Sequence, residues 1–155
     1  MTAVDLELSE GESILTGPEE LLYRQIIGHM LDGEKIATRA FGPMPADKDK
    51  PSFSRSSRVS AQDARDWHTR KAKKPSLGVR AVSVGEVIEA GRYAIDDSEA
   101  PLGPDEERAP GHCYVDFRGL TRAQRKELAA RLWLKANERG EVPTTATLGD
   151  GELFA

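Results

Sequence analysis

Cysteine is nearly missing from this chain of 155 residues, in which Cys113 stands alone. That excludes an intrachain disulfide and a cysteine-rich zinc site, and it makes a reducing compartment the natural home. Histidine is almost as scarce. His29, His68 and His112 show no spacing of the His-x-x-x-His kind, so no metal is expected. Neither a Gly-x-Gly-x-x-Gly nor a phosphate-loop signature occurs, and the residues by themselves name no cofactor. No apolar run approaches the roughly 20 residues that cross a bilayer. The opening Met1–Glu10 is acidic, without a basic stretch leading into an apolar one. A cytoplasmic protein with no membrane partner is the expectation.

What is present is enough apolar residue to fold. Hydrophobic residues make up 38% and charged residues 31% of the chain, and the net charge of −4 is too small for a disordered polyelectrolyte. The length suits one domain. Charge is sorted into blocks. Met1 to Glu34 holds eight acids against Arg24 alone, whereas Ser54 to Arg80 holds eight Lys or Arg against Asp63 and Asp66. Acid returns from Glu86 to Glu107, eight to one, and Arg122 to Arg139 is basic, six to two. Such blocks either neutralise one another across the surface or leave a positive face open to an anionic partner.

Residues 1–17 read as a flexible acidic arm, 18–142 as a single domain, and 143–155 as a flexible tail. Leu21–Ile27 suits a short buried strand, although Thr16, Pro18 and Glu19 would also open a helix there. Three prolines and many polar residues mark 42–57 as a long loop, and a second runs from 96 to 111. Ser60 caps a helix over about 60–74, ended by Pro75. Leu77–Val84, Arg92–Ile95 and Cys113–Phe117 read as strands, with Glu86–Ala90 a turn or one helical turn between glycines. Thr121 and Gln124 form a capping box for a helix over about 121–139, whose Ala129, Leu132, Trp133 and Ala136 make one apolar stripe. Strands and helices do not alternate as βαβ units. The expected class is therefore α+β, a small mixed or antiparallel sheet with two main helices.

Three groups of residues carry possible chemistry. Tyr23-Arg24, then Ser52-Phe-Ser-Arg-Ser-Ser, then Glu86, follow an order that resembles the Arg–Ser–Glu class of ADP-ribosyltransferases. The resemblance covers about the middle half of the chain. It implies Arg24 as a clamp on the phosphates of a nicotinamide dinucleotide (NAD), Ser54 or Ser56 as a ribose brace, and Glu86 or Glu89 as the catalytic acid. The family's Ser-Thr-Ser is absent, and no Glu-x-Glu or Gln-x-Glu occurs near Glu86.

The second group is Arg65-Asp-Trp-His-Thr-Arg-Lys-Ala-Lys-Lys with Arg55 and Arg58 upstream, where cations flank an aromatic as a phosphate backbone and an unstacked base require. Trp67 serves equally as the helix's core anchor, and a pI near 5.5 disfavours nucleic acid as the main partner. The third is His112. Asp116 shares its strand face but lies roughly 13 Å away, and Cys113 points to the opposite face, so neither pairs with it directly.

The leading expectation is a small binding or accessory protein of bacterial type. Its partner is a protein or an anionic ligand, held by Arg55, Arg58, Trp67, His68, Arg70, Lys71, Lys73, Lys74 and His112 together with the long loops, and no cofactor is predicted. The alternative is an ADP-ribosyltransferase-like enzyme using NAD through Arg24, Ser54 and Glu86. A nucleic-acid-binding role stands third.

Overall fold

The computed structural model describes residues 7–71 and 74–146. An antiparallel sheet of six strands runs through it in the order β1-β7-β8-β5-β2-β6. Its members are β1 (Ser13–Ile14), β2 (Leu21–Gln25), β5 (Ser52–Arg55), β6 (Val79–Ser83), β7 (Ala94–Asp96) and β8 (His112–Val115). A separate hairpin joins β3 (Leu31–Asp32) to β4 (Lys35–Ile36). Three α-helices complete the fold: α1 (Ala61–Lys71), α2 (Val84–Glu89) and α3 (Arg122–Arg139). The α+β expectation is borne out, and the sheet is antiparallel at every pairing.

The period of two along each strand divides the sheet into unlike faces. On one, Leu22, Phe53, Val82, Cys113 and Val115 are buried in a core completed by Leu128, Ala129, Leu132 and Ala136 of α3. Helix α3 begins where Thr121 and Gln124 exchange cap hydrogen bonds of 2.9 and 3.2 Å, and it stops at Gly140, whose φ of 88° favours glycine. Trp133, at the edge of that stripe, is half-buried and donates from Nε1 to Ile36 O at 2.7 Å. The other face presents Tyr23, Ser52, Ser54, His112 and Tyr114, and α1 covers only part of it. Ser60 accepts the Asp63 N–H at 3.0 Å and fixes where α1 starts.

Several expected boundaries need correction. The stretch 42–57 is not all loop, because Ser52–Arg55 is an interior strand paired on both sides, Tyr23↔Ser54 with β2 and Phe53↔Cys113 with β8. Its Ser-Phe-Ser-Arg alternation, with Phe53 and Arg55 turned to the side that carries Leu22 and Cys113, is a strand signal that the surrounding prolines and lysines obscure. Within the stretch 1–17 read as an arm, Ser13–Ile14 pair with β7 and Leu15 is buried, and residues 1–6 lie outside the described residues. Within the stretch 143–155 read as a tail, Thr144 and Thr145 bond to Arg65 and Gln62. The 147–155 part of that tail lies outside the described residues. The strand expected at Leu21–Ile27 is present as β2.

Candidate functional site

Between α1 and the 97–111 loop, over the face not covered by α3, lies a cleft of about 820 Å³. Strands supply its floor through Tyr23, Ser52, Ser54 and His112. Helix α1 gives one wall with Ala64, Trp67 and His68, and the loop gives the other with Pro101, Leu102 and Arg108. Met30, Met44 and Lys50 close one end. The loop is stitched to itself by Arg108, which donates to Ser98 O at 2.8 Å and Ala100 O at 2.7 Å. At the mouth, Glu107 reaches Lys71 across 3.9 Å.

The floor carries a hydrogen-bonded chain. His112, first in β8, lies diagonally across the ladder from Ser52, first in β5, because the register pairs Ser54 with His112 and Ser52 with Tyr114. The His112 Nε2 stands 3.0 Å from Ser52 Oγ, and Nδ1 stands 2.7 Å from Asp97 Oδ1. Asp97 follows directly after β7, whose Asp96 accepts the Ser98 N–H at 2.7 Å and so fixes the turn.

Beneath Ser52 is Arg24. The β2–β5 ladder stops at Tyr23↔Ser54, and the Arg24 guanidinium replaces the missing strand contacts. It donates to Ser52 O and Ala40 O at 2.8 Å and to Gly42 O at 3.2 Å, with its carbon 5.3 Å from the Phe53 ring centre. Only 4% of Arg24 is exposed. Burial draws its pKa down from 12.5 to about 10, with Asp47 pulling the other way. The same guanidinium and Lys74 add to the effect of burial in lowering the pKa of His68. At the base of the cleft, Nε2 of His68 and Nε2 of Gln25 are buried without a hydrogen-bond partner among the described residues, a state that buried polar groups rarely keep.

The three residues picked out by the ADP-ribosyltransferase resemblance are dispersed. Ser54 faces the cleft, but Arg24 is engaged by three carbonyls beneath it. Glu86 caps α2, accepting the Ser83 N–H at 2.7 Å, and pairs with Arg139 at 2.8 Å, away from the cleft lining.

The expected basic face is also divided. Arg55 is interior, gripping Glu20 at 2.9 Å and bonded to Asp96. Against burial, which works the other way, the hydrogen bonds of this cluster hold both carboxyls below their ordinary pKa: Arg55 and Ser57 act on Glu20, Ser98 and Arg55 on Asp96. Arg58, Arg70 and Lys71 are exposed on the surface, and Lys74 is exposed at the cleft wall. Lys73 lies outside the described residues. Trp67 is half-buried on the cleft wall and takes no part in the core cluster. His68 and His112 both line the cleft.

Sequence reasoning misses Ser52 and Asp97. Asp97 sits 15 positions before His112 in a polar loop, a separation with no periodic signature. Among the described residues no cluster of His, Cys, Asp and Glu is arranged to hold a metal, and no helix is long and apolar enough to cross a membrane. Compared with family models, curated proteins and solved structures, the chain matches none.

Proposed function

We propose that the protein binds a small organic anion carrying a flat ring, and that the cleft, rather than the outer face of α1, is where it binds. The observation that carries this reading is the company of Trp67 in the cleft. Trp67 and Tyr23 offer ring surface over a concavity of about 820 Å³, within the range usual for small-molecule sites. Beside them stand Arg24 and Lys74, whose charges add to burial in lowering the pKa of His68. The unpartnered nitrogens of Gln25 and His68 add two polar groups for a ligand to meet. The anionic-ligand expectation is retained in this reading, but its recognition surface moves inward, because Arg55 and Arg65 are committed to internal contacts.

Trp67 fluorescence tests it directly. Titration with adenosine monophosphate, NAD and an aromatic carboxylate is expected to give saturable quenching that is lost in Trp67→Phe. Neutral and cationic ring compounds of the same size should quench less. Lys74→Glu is expected to weaken the anions about fivefold or more, the equivalent of roughly 1 kcal/mol for one partly exposed charge. Absence of quenching by every ring-bearing anion at millimolar concentration overturns the reading.

A further inference from the structure

We propose that Ser52 is a nucleophile, activated by His112 and Asp97, and that the cleft hydrolyses carboxylic esters. The ester class rests on the binding reading above; the nucleophile rests on its own geometry. Three side chains from three separate stretches meet in one line: Asp97 Oδ1 to His112 Nδ1 at 2.7 Å, and His112 Nε2 to Ser52 Oγ at 3.0 Å. Both lengths fall in the window for a serine activated by a base that a third group orients. Donation of Nδ1–H to the Asp97 carboxylate leaves Nε2 as the acceptor, and the Ser52 hydroxyl donates to it.

The surroundings distinguish this from a cross-strand brace. A brace has no need of access, yet Ser52 is exposed and all three residues line the cleft. The main chain beneath the nucleophile is held still by Arg24, which donates to Ser52 O from below. Lys50, two residues before Ser52, lies with its ammonium 5.2 Å from the centre of the Tyr114 ring, and Tyr114 is the residue directly opposite Ser52 in the ladder. Lys50 and Ser52 both line the cleft, and a cation in it is suited to charge developing on a carbonyl oxygen.

The chemistry balances with water as the only co-reactant. Ser52 Oγ bonds to the ester carbonyl carbon as its proton passes to His112 Nε2, and the carbonyl electron pair moves to oxygen. Collapse breaks the bond to the alcohol oxygen, which leaves with the proton from His112. Water then adds to the acyl carbon, giving a proton to His112. Ser52 Oγ departs, takes that proton back, and the carboxylic acid is released. Asp97 touches no reacting atom and is a positioning residue.

A fluorophosphonate probe, small enough to need no ring recognition, tests the nucleophile apart from the ligand class. Mass spectrometry of the labelled full chain is expected to place the adduct on Ser52, to find none in Ser52→Ala, and to show labelling slowed about 10²–10⁴-fold in His112→Gln. With 4-nitrophenyl acetate, Asp97→Asn is expected to lower kcat while leaving KM unchanged, as befits a residue acting through His112. Circular dichroism checks that each variant is folded. No adduct on Ser52 of the folded protein after hours at millimolar probe overturns the proposal, as does labelling at an undiminished rate in His112→Gln. Labelling without ring-anion quenching leaves the nucleophile standing and sinks the ligand class. Quenching without labelling does the reverse.

Discussion

Replacing Arg55 by Met removes a cation that the fold has placed between two carboxylates. Its side chain is 14% exposed, and Glu20 and Asp96 are 12% and 9% exposed, so solvent screens the cluster little. The Glu20 contacts are 2.9–3.2 Å long, and Glu20 also accepts from Ser57. Breaking a buried pair by deleting one partner typically costs about 3–5 kcal/mol, mostly because the remaining charge is left uncompensated. Here two carboxylates are stranded, while the desolvation of the guanidinium itself is relieved, so a loss of about 3–5 kcal/mol is the working figure. For a chain of this size that corresponds to a melting temperature lower by roughly 6–20 °C. Urea denaturation of Arg55→Met, alone and with Glu20→Gln and Asp96→Asn, reads both the loss and the coupling. The neutralised triple variant is expected to recover about 1–3 kcal/mol. Ring-anion binding in the cleft is expected to persist at temperatures where Arg55→Met remains folded. A destabilisation below about 1 kcal/mol, or no recovery in the triple variant, refutes the claim that Arg55 belongs to the interior rather than to a docking face.

Stability should also depend on acid. Glu20, Asp96 and Glu86 all have folded pKa values below their ordinary 4.5, 3.8 and 4.5. Depressed carboxyl values contribute stability that is complete above the unfolded values and lost as pH falls through the folded ones. The urea midpoint should therefore hold from pH 7 to 5 and drop below about 4.5; a midpoint unchanged at pH 3 contradicts the network. Glu86→Gln keeps the α2 cap, since Gln also closes a capping box, and loses only the partly exposed Arg139 pair, for about 0.5–1 kcal/mol. It should leave cleft binding unaltered, and an NAD-dependent activity abolished by this substitution would restore the ADP-ribosyl transfer expectation. Cys113 is fully buried, and burial, followed by the negative field of Asp97 and Asp96, pushes its thiol pKa well up. Aromatic disulfide reagents should fail to react with it until urea opens the sheet, and rapid native-state modification would argue that β8 frays.

The helices were the most readable part of the chain. Ser60, Thr121 with Gln124, and Gly140 are local signals, and each acts over three or four residues, so they fix α1 and α3 without reference to distant contacts. Strand β5 was hidden, because a four-residue strand between Pro51 and a serine run has too little apolar content to stand out. Only pairing with β2 and β8 makes it a strand. Charge counting found cations but not their partners. Arg55 and Arg70 look alike in the sequence, yet Arg55 meets Glu20 from 35 residues away and Asp96 from 41, whereas Arg70 is exposed. His112 is a candidate in the sequence alone, where strand spacing already separates it from Asp116, and Asp116 sits buried, bonded to Arg118 at 2.8 Å. The acid that does meet His112 comes from a loop, and loop residues announce their geometry poorly.

The cleft's walls and its floor answer to different constraints. Ser52 and His112 sit at strand ends, where a shift of one residue would turn each side chain to the wrong face. The 97–111 wall, in contrast, is a connection held mainly by its own arginine, and the α3 side of the sheet has no stake in its sequence. Under the proposed reading, exchanging the outer part of that wall, around residues 101–107, would change which ligands the cleft accepts while leaving the Ser52–His112 contact in place. The protein is thus built as a chassis with a replaceable side panel, open to new specificities by loop substitution alone.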